Sequence, residues 1–317
     1  MGFTIKNTLL ELDTTPWGAS MTGLWLNNAN GQRINVIYGY EEEDMYRVNI
    51  PFLGATCGRY AGRIAGHAFT INDIRYTLES DGEVHLHGGS HTLGRQKWTL
   101  KEIHEGKVPY IVYAIKSAHL EGGYPGNLEA EARFTLEENR VKISYSARSD
   151  KDTYLNLTNH NYYNLDGGGN VRSHRLMVNA DTYLETDHLL IPTGKQIPVK
   201  GTALDHRKEK DLDNTFSEVI PDNTFALNRD RQAAASLYSP GSGILMKVFT
   251  DQPGLVVYTP EFLPETQYKN RPPGKYAAVC LEAQQFPNAP NEPGFPSALL
   301  KKGDTYRNEI NLEFSIQ

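Results

Sequence analysis

Short segments with a two-residue hydrophobic period recur along the chain, and helical periodicity is almost absent. In the C-terminal segment 310–316, apolar residues occupy every second position and polar residues lie between them. Such alternation is typical of a strand with one face in the core of an antiparallel sheet. Gly, Pro, Asn and Asp separate the segments, as they do in turns. The pattern predicts an all-β fold, a large antiparallel sandwich or barrel, with residues 1–317 forming a single domain.

Further segments show the same strand character between turn residues. They are Arg33–Tyr38, Ala68–Ile71, Ile74–Leu78, Val108–Ser117, Leu128–Leu136, Arg140–Arg148, Gly243–Thr250 and Leu255–Thr259. Asn72 and Asp73 fit the two-residue turn of a hairpin between the second and third of these strands. For Pro296–Lys302, one or two turns of helix are expected instead.

The charge and hydropathy of the chain exclude some classes of partner. A formal net charge of −6 and a pI near 5.9 argue against nucleic acid or an anionic membrane surface. No apolar run approaches the roughly 20 residues of a membrane span, and the first residues lack the pattern of a signal peptide. Cys57 and Cys280 are expected to be buried free thiols of a cytoplasmic protein, with a disulfide between them as the alternative.

Segment 275–297 places a carboxylate where a strand gives way to a stiff loop. Its first half alternates, with an apolar face and an opposite face that ends in Glu282 and Gln284. A carboxylate buried without a partner costs several kcal/mol. The sequence FPNAPNEPGFPS that follows is too rich in Pro to continue in a sheet. Glu282 is therefore predicted to lie near a strand end, beside a binding site.

Segment 154–165 is interpreted as one strand with a polar face. His160 lies at the centre of that face, with Tyr162 beside it. Hydrogen-bonding groups next to a flat aromatic surface suit a pocket for a hydroxylated ligand. The alternative is a hydrogen-bonded histidine on a solvated strand.

Two further groups of residues have side chains of a kind that binds ligands. One interpretation of His85, His87 and His91 is a metal site, since imidazole is a common metal ligand. The Gly-Gly pair after His87 more simply allows a ligand to approach the backbone closely. Arg59 and Arg63 are predicted to share one face of a strand, where their guanidinium groups offer donors to vicinal hydroxyls or carboxylates. Arginines on the surface are the alternative.

Together these segments resemble the aldose 1-epimerase, or galactose mutarotase, family. The matching stretches follow the family order over about residues 30 to 315: GRYAGRIA, HLHGG, NLTNHNYYNL, LIPTG, GTALDHR, DNTFAL, PGLVVYT and LEAQQFPNAPN. The stretches NLTNH and LEAQQFPNAPN are the most specific. The resemblance implies a galactose mutarotase-like supersandwich, which is a large antiparallel β-sandwich, and no metal or organic cofactor.

The same resemblance implies roles for individual residues. Glu282 corresponds to the general base and His160 to the general acid. Arg63, His87 and Asp222 correspond to ligands of the sugar hydroxyls. We expect a small-molecule monosaccharide as the partner and a monomer or a homodimer as the assembly.

Four positions depart from the family pattern. Gly62 stands where the family usually has Asn, and Val256 stands where a ligand-binding Gln is common. Pro221 and Asn223 stand on either side of Asp222 where the family usually has Tyr and His. These departures concern the residues that would read the sugar hydroxyls, so they bear on which sugar is used and leave the chemistry unchanged.

The implied reaction interconverts the α and β anomers of a free sugar. A base takes the proton of the O1 hydroxyl, an acid gives a proton to the ring oxygen O5, and the freed aldehyde rotates and recloses. Near neutral pH glutamate is ordinarily ionised and histidine is partly protonated. Glu282 and His160 are therefore expected to rest in the forms that the reaction needs, on opposite sides of the sugar ring.

Other functions fit parts of the same pattern. One is an epimerase or isomerase for a less common sugar or a sugar acid, which the altered residues favour. Another is a carbohydrate-binding protein without catalysis, because a fold does not establish a function. A glycosidase is disfavoured, since it needs two opposed carboxylates and Asp222 would have to be the second.

Overall fold

Strands make up most of the regular secondary structure. The structure, a computed structural model, describes residues 2–80, 84–230, 232–270 and 272–317. Within these ranges the only α-helix is α1 (Leu212–Phe216). Short 3₁₀ helices lie at Glu43–Arg47, Ala65–His67, Gly89–His91, Glu121–Gly123 and Ala289–Asn291. None of the described helices is long and apolar enough to cross a membrane.

Strands β1 to β27 follow one another along the described residues. The first nine are β1 (Phe3–Lys6), β2 (Glu11–Thr15), β3 (Ser20–Asn27), β4 (Arg33–Asn35), β5 (Thr56–Cys57), β6 (Arg63–Ile64), β7 (Ala68–Ile71), β8 (Ile74–Thr77) and β9 (His85–Leu86). The next nine are β10 (Thr99–His104), β11 (Tyr110–Ser117), β12 (Leu128–Glu137), β13 (Arg140–Ser149), β14 (Thr153–Tyr154), β15 (Thr158–Asn159), β16 (Tyr162–Tyr163), β17 (Arg175–Val178) and β18 (Ala180–Thr186). The last nine are β19 (Pro192–Pro198), β20 (Lys210–Asp211), β21 (Asp222–Leu227), β22 (Ala235–Tyr238), β23 (Ile244–Thr250), β24 (Gly254–Tyr258), β25 (Val279–Gln284), β26 (Leu299–Leu300) and β27 (Tyr306–Ile316).

Two large sheets organise the fold. One has nine strands in the order β10-β11-β12-β13-β27-β23-β22-β17-β20, and the other has six in the order β16-β25-β24-β21-β18-β19. Strands β1 to β4 form a smaller sheet, and the remaining strands form the pairs β14-β26, β15-β5, β6-β9 and β7-β8. Neighbouring strands in both large sheets run antiparallel.

One hydrophobic core joins the two large sheets. Phe134 and Leu312 enter it from the nine-stranded sheet, and Leu255 and Leu281 enter it from the six-stranded sheet. A core shared by the inner faces of two sheets defines a sandwich. The predicted all-β antiparallel sandwich is therefore confirmed.

Local predictions are confirmed in part. Asn72 and Asp73 form the hairpin turn between β7 and β8, and their φ angles of 49° and 62° are those that a type I′ turn requires. The predicted helical turns at Pro296–Lys302 are wrong, because β26 pairs with β14 and so buries Leu300 in the core. The predicted strand Arg33–Tyr38 is too long, since β4 ends at Asn35, whose side chain accepts a hydrogen bond from the Leu24 N–H.

The two cysteines are buried free thiols, as expected. Cys57 lies on β5, and Cys280 lies on β25. Burial raises the pKa of both thiols. Both therefore stay protonated near neutral pH, which makes them poor nucleophiles.

Candidate active site

A cleft of about 220 Å³ opens over the six-stranded sheet. Its floor is a grid, because the register places Thr224 on β21 beside Val256 on β24, and Val256 beside Glu282 on β25. The rows on either side pair Asp222 with Tyr258 and Gly254 with Gln284. Since side chains alternate along a strand, residues two apart on these strands face the same side. The six-stranded sheet thus presents a mixed carboxylate, amide and aromatic surface to the cleft.

All the site residues predicted from the sequence line this cleft. They are Arg63, His87, His160, Asp222 and Glu282. They come from separate parts of the chain, and the strand pairings bring them together. The cleft is smaller than the roughly 300–1,000 Å³ of sites for drug-sized ligands. Its size suits one small molecule.

Glu282 occupies the position that its strand pattern predicts. Leu281 and Ala283 point into the core, and Glu282 points the other way, into the cleft. Its side chain is almost fully buried, and its Oε2 atom has no hydrogen-bond partner among the described residues. A buried oxygen without a donor is costly, so it marks a place where a ligand can donate a hydrogen bond.

His160 is held against the strand that carries Glu282. The Thr158 hydroxyl donates a hydrogen bond of 2.9 Å to the Ala283 carbonyl, and the Asn164 amide donates one of 2.7 Å to the Ala277 carbonyl. The imidazole stacks on Tyr162, with ring centroids 5.1 Å apart. These contacts place His160 Nε2 3.5 Å from Glu282 Oε1. The two groups touch, so the expectation that they flank a sugar ring from opposite sides is wrong.

The predicted continuous strand over 154–165 is also wrong. The segment contains β15, which pairs with β5, and β16, which pairs with β25. His160 lies between these two short strands, where the chain passes from one sheet to the other. Its position therefore depends on side-chain hydrogen bonds to neighbouring backbone, which a strand pattern does not reveal.

Burial opposes the expected charge states of the pair. It raises the pKa of Glu282 well above its usual range; Asp222 raises it further, and Arg63 opposes the shift. Burial lowers the pKa of His160 to about 4. Burial therefore opposes the expected combination of an ionised Glu282 and a partly protonated His160. Both shifts favour the uncharged forms, in which the proton of the pair is on the carboxyl group and the 3.5 Å contact joins two neutral groups.

Arg63 and Asp222 form an ion pair at the side of the cleft. The guanidinium Nη2 lies 3.4 Å from Asp222 Oδ2, and both side chains are about a quarter exposed. Asn288 holds the strand that carries Arg63: its N–H donates to the Arg63 carbonyl, and its side-chain oxygen accepts from the Ala65 N–H. The pair presents donors and acceptors to any ligand in the cleft.

Arg59 does not join Arg63, and the predicted shared strand face is wrong. Strand β5 ends at Cys57 and β6 begins at Arg63, so the chain turns between the two arginines. Arg59 is buried, and its guanidinium donates hydrogen bonds to a hydroxyl and to four carbonyls. These acceptors are Ser117 Oγ and the backbone oxygens of Ser117, Ala118, Pro125 and Gly126. Arg59 is therefore a structural residue.

This difference between the two arginines leads to a stability prediction. Arg59→Met keeps the volume but leaves several buried carbonyls without donors, each at a cost of about 1–3 kcal/mol. We expect a loss of roughly 3 kcal/mol or more in the free energy of unfolding, measured with urea. Arg63→Met is the matched control, and it should change stability by less than about 1 kcal/mol because Arg63 makes a partly exposed ion pair. Equal stability losses in the two variants would contradict this assignment.

The Nδ1 atom of His87 bonds to the backbone, and its Nε2 atom is available to a ligand in the cleft. Its Nδ1 accepts a hydrogen bond of 3.2 Å from the Gly62 N–H. Burial, with His160 and Arg63 nearby, lowers the pKa of His87 well below its usual range. The ring is therefore neutral, and its proton is on Nε2, because Nδ1 is an acceptor. His87 can donate a hydrogen bond to a ligand.

The structure separates the three histidines that invited a metal interpretation. His85 bonds to the Tyr124 hydroxyl, and His91 lies 2.6 Å from Glu79. A different set, His87, His160 and Glu282, has donor atoms within 4.8 Å of one another. That set fits a metal poorly, since the Nε2 of His87 carries a proton while its Nδ1 accepts from the backbone.

Some residues of the cleft were not predicted as site residues. Phe52 and Tyr258 supply aromatic walls, with His87 and His160 packed against them. Gln284 shares the parity of Glu282, which is the signal that could have found it. Of the four departures from the family pattern, Gly62 and Val256 line the cleft, whereas Pro221 and Asn223 are not among the lining residues.

Comparisons with known proteins place this β-sandwich in the galactose mutarotase-like class. The aldose epimerase homologue from C. elegans superposes with a TM-score of 0.92 at 28% identity, over 100% of this chain and 99% of that chain. Galactose 1-epimerase from Lactobacillus acidophilus NCFM gives a TM-score of 0.88 at 27% identity, over 99% and 94% of the two chains.

The sequence comparisons name the family. Galactose mutarotase from Sus scrofa is 36% identical over 325 residues, which cover 99% of this chain and 94% of that protein. A family model described as aldose 1-epimerase matches residues 1–313. The chain belongs to the aldose 1-epimerase family.

Proposed function

We propose that the protein is an aldose 1-epimerase that interconverts the α and β anomers of a free monosaccharide. The observation that carries this proposal is the buried contact of 3.5 Å between His160 and Glu282 inside a small cleft of mixed polar and apolar lining. Membership of the aldose 1-epimerase family supports the same reaction. In this proposal Glu282 is the general base and His160 is the general acid.

The single proton of the pair is sufficient for ring opening. Moving it from Glu282 to His160 across their contact creates a carboxylate and an imidazolium. The carboxylate then takes the O1 proton while the imidazolium gives its proton to O5, and the C1–O5 bond breaks. O1 and O5 are bonded to the same carbon, so a base and an acid in contact can serve both. After opening, Glu282 is protonated and His160 is neutral again, and reclosure on the other face of the aldehyde reverses these transfers.

Three side chains would hold the sugar above this pair. Arg63 offers donors, Asp222 offers acceptors, and the Nε2–H of His87 offers one further donor. Polar groups that converge on a ligand from a rigid framework orient it with little loss of entropy on binding. We propose that these residues bind hydroxyl groups and leave the anomeric centre to Glu282 and His160.

The test of the proposed function is a panel of freshly dissolved aldoses, including pentoses, hexoses and deoxy sugars. Polarimetry measures the approach to anomeric equilibrium, and NMR detects change at any other carbon. Acceleration confined to the anomeric carbon is the expected result. Change at another carbon would identify a different isomerase, and saturable binding without acceleration would identify a carbohydrate-binding protein.

A second candidate keeps the chemistry and changes the sugar. Val256 lies between Thr224 and Glu282 in the centre of the floor, and it cannot form a hydrogen bond. A floor with an apolar centre favours a substrate that presents C–H groups or a deoxy position there. The aldose with the highest kcat/KM in the panel identifies the substrate, and an enzyme for a less common sugar is the outcome that Val256 favours.

The two pKa shifts lead to a prediction for the pH profile. In the active form, Glu282 and His160 together carry one proton. Activity is therefore lost when the pair binds a second proton or loses its only proton. The lowered pKa of His160 moves the first event to acid pH, near 4, and the raised pKa of Glu282 moves the second event upward. We expect the acid limb of kcat/KM to lie near pH 4, with no inflection near 6.5, after subtraction of the uncatalysed rate. A single inflection near 6.5 would indicate an ordinary solvated histidine and contradict the buried pair.

We also propose that residues 1–317 act as one domain, in the cytoplasm, as a monomer or a homodimer. The main core cluster includes Ile5 near one end of the chain and Phe314 near the other, which supports a single folding unit. Two buried free thiols fit a reducing compartment.

A further inference from the structure

Gln284 is a buried cleft residue that the proposed mechanism does not use. It lies two residues after Glu282 on β25, on the same face, and its side chain is fully buried. Its Nε2 donates a hydrogen bond of 3.2 Å to the Gln285 carbonyl, while its Oε1 has no partner among the described residues. A carbonyl can only accept, so this bond also fixes which end of the amide is the oxygen.

Few polar atoms in the cleft are buried without a hydrogen-bond partner. Among the described residues, the cleft-lining side chains with a buried, unpartnered polar atom are His160 (Nδ1), Glu282 (Oε2) and Gln284 (Oε1). Two of these belong to the proposed acid and base. A buried carbonyl oxygen without a donor costs about 1–3 kcal/mol, and a ligand hydroxyl would relieve that cost.

Gly62 keeps the carboxamide in this orientation. It has a φ of +81°, lines the cleft, and lies over the end of Gln284. A Cβ atom at position 62 would lie 3.2 Å from Gln284 Nε2 and 2.8 Å from a side-chain carbon of Pro287. Because Gly62 lacks that atom, the amide nitrogen can face the Gln285 carbonyl and the oxygen remains available.

The floor residues next to Gln284 and Glu282 on the neighbouring strand have no side chain that can form a hydrogen bond. Its cross-strand neighbour is Gly254, which has no side chain, and the neighbour of Glu282 is Val256, which cannot hydrogen bond. The row that holds Glu282 lies between the row of Gln284 and the row of Asp222. A sugar over Glu282 would therefore meet an acceptor on each side.

We propose that Gln284 is a specificity-determining residue whose Oε1 accepts a hydrogen bond from one hydroxyl of the bound aldose. The inference rests on the proposed function, and it adds a contact on the side of the anomeric centre away from Asp222. Residues two apart on a strand are about 6.8 Å apart, so the hydroxyl belongs to a ring carbon near the anomeric carbon. The 2-deoxy and 3-deoxy sugars are therefore the most informative probes.

The test combines Gln284→Leu with a series of monodeoxy aldoses. For the parent sugar, we expect kcat/KM to fall by about 10- to 100-fold, as is typical when a hydrogen bond to a substrate hydroxyl is lost. For the one deoxy sugar that lacks the partner hydroxyl, the wild type and the variant should agree within about twofold. Gln285→Leu is the matched control, since that side chain bonds to Gln252 and does not line the cleft. It should leave every sugar unaffected.

Other outcomes overturn the inference. An equal loss for every deoxy sugar would make Gln284 a structural residue, and no loss would remove it from the site. Gln284→Met is the second variant if the leucine protein does not fold. Calorimetric binding of the same sugars separates this inference from the proposed function. A wild type that binds sugars without accelerating mutarotation would refute the proposed function, while a loss of affinity that vanishes for one deoxy sugar would still support the role of Gln284.

Discussion

Glu282→Gln is expected to lower kcat for anomer interconversion by at least about 10²-fold while the protein stays folded. Glutamine cannot take the O1 proton, so the step that starts ring opening loses its base. The position should tolerate the change, because burial already favours the neutral acid form of Glu282, which glutamine matches in size and charge. Polarimetry of a freshly dissolved α-aldose gives the rate, and thermal unfolding confirms the fold.

The matched control for this variant is Glu261→Gln. Glu261 pairs with Lys275 at the surface, about half exposed, and it is not among the residues that line the cleft. It should keep the wild-type rate, because losing a surface ion pair changes little. A Glu282→Gln protein with near wild-type kcat would rule out Glu282 as the base.

His160→Ala is expected to lower kcat by roughly 10²- to 10⁴-fold, the usual contribution of a positioned proton donor. Without the imidazole, the single proton of the pair cannot be delivered to O5. The ring also stacks on Tyr162, so alanine leaves a gap, and His160→Gln is a second variant that fills most of it. Both variants should lose activity alike, as measured by polarimetry and by NMR exchange between anomers.

His104→Ala serves as the control, since that ring stacks on Tyr110 on an exposed strand away from the cleft. Combining Glu282→Gln with His160→Gln tests whether the two residues act as a unit. The double variant should lose little more than the worse single variant, because in the proposed mechanism the two adjacent groups act on one proton. Fully additive losses would mean that Glu282 and His160 act independently.

The side on which Glu282 points could be predicted from the sequence because it follows from a local rule. Alternation along a strand places Leu281 in the core and Glu282 opposite to it, whatever the rest of the fold does. The same rule failed between residues 154 and 165, where the chain passes from one strand pairing to another. It also failed for Arg59, whose partners lie about 60 positions further along the chain.

The assembly of the cleft depends on contacts between distant segments. Arg63 meets Asp222 across 159 positions, and Asn156 joins the Ala61 carbonyl to the backbone of Gln285. Motif resemblance placed these residues in one site, whereas no local pattern in the chain does so. The charge states of the acid and base could not be predicted either, because they depend on burial, and burial is a property of the folded protein.

The most direct test of the central claim is a crystal structure of the Glu282→Gln protein with the preferred aldose bound. We predict that the anomeric carbon lies over the pair, with O1 within about 2.6–3.2 Å of the residue 282 carboxamide and O5 within the same reach of His160. Arg63, His87 and Asp222 should contact the remaining hydroxyls. A sugar bound with its anomeric carbon turned away from both side chains, or bound outside this cleft, would contradict the proposed roles of Glu282 and His160.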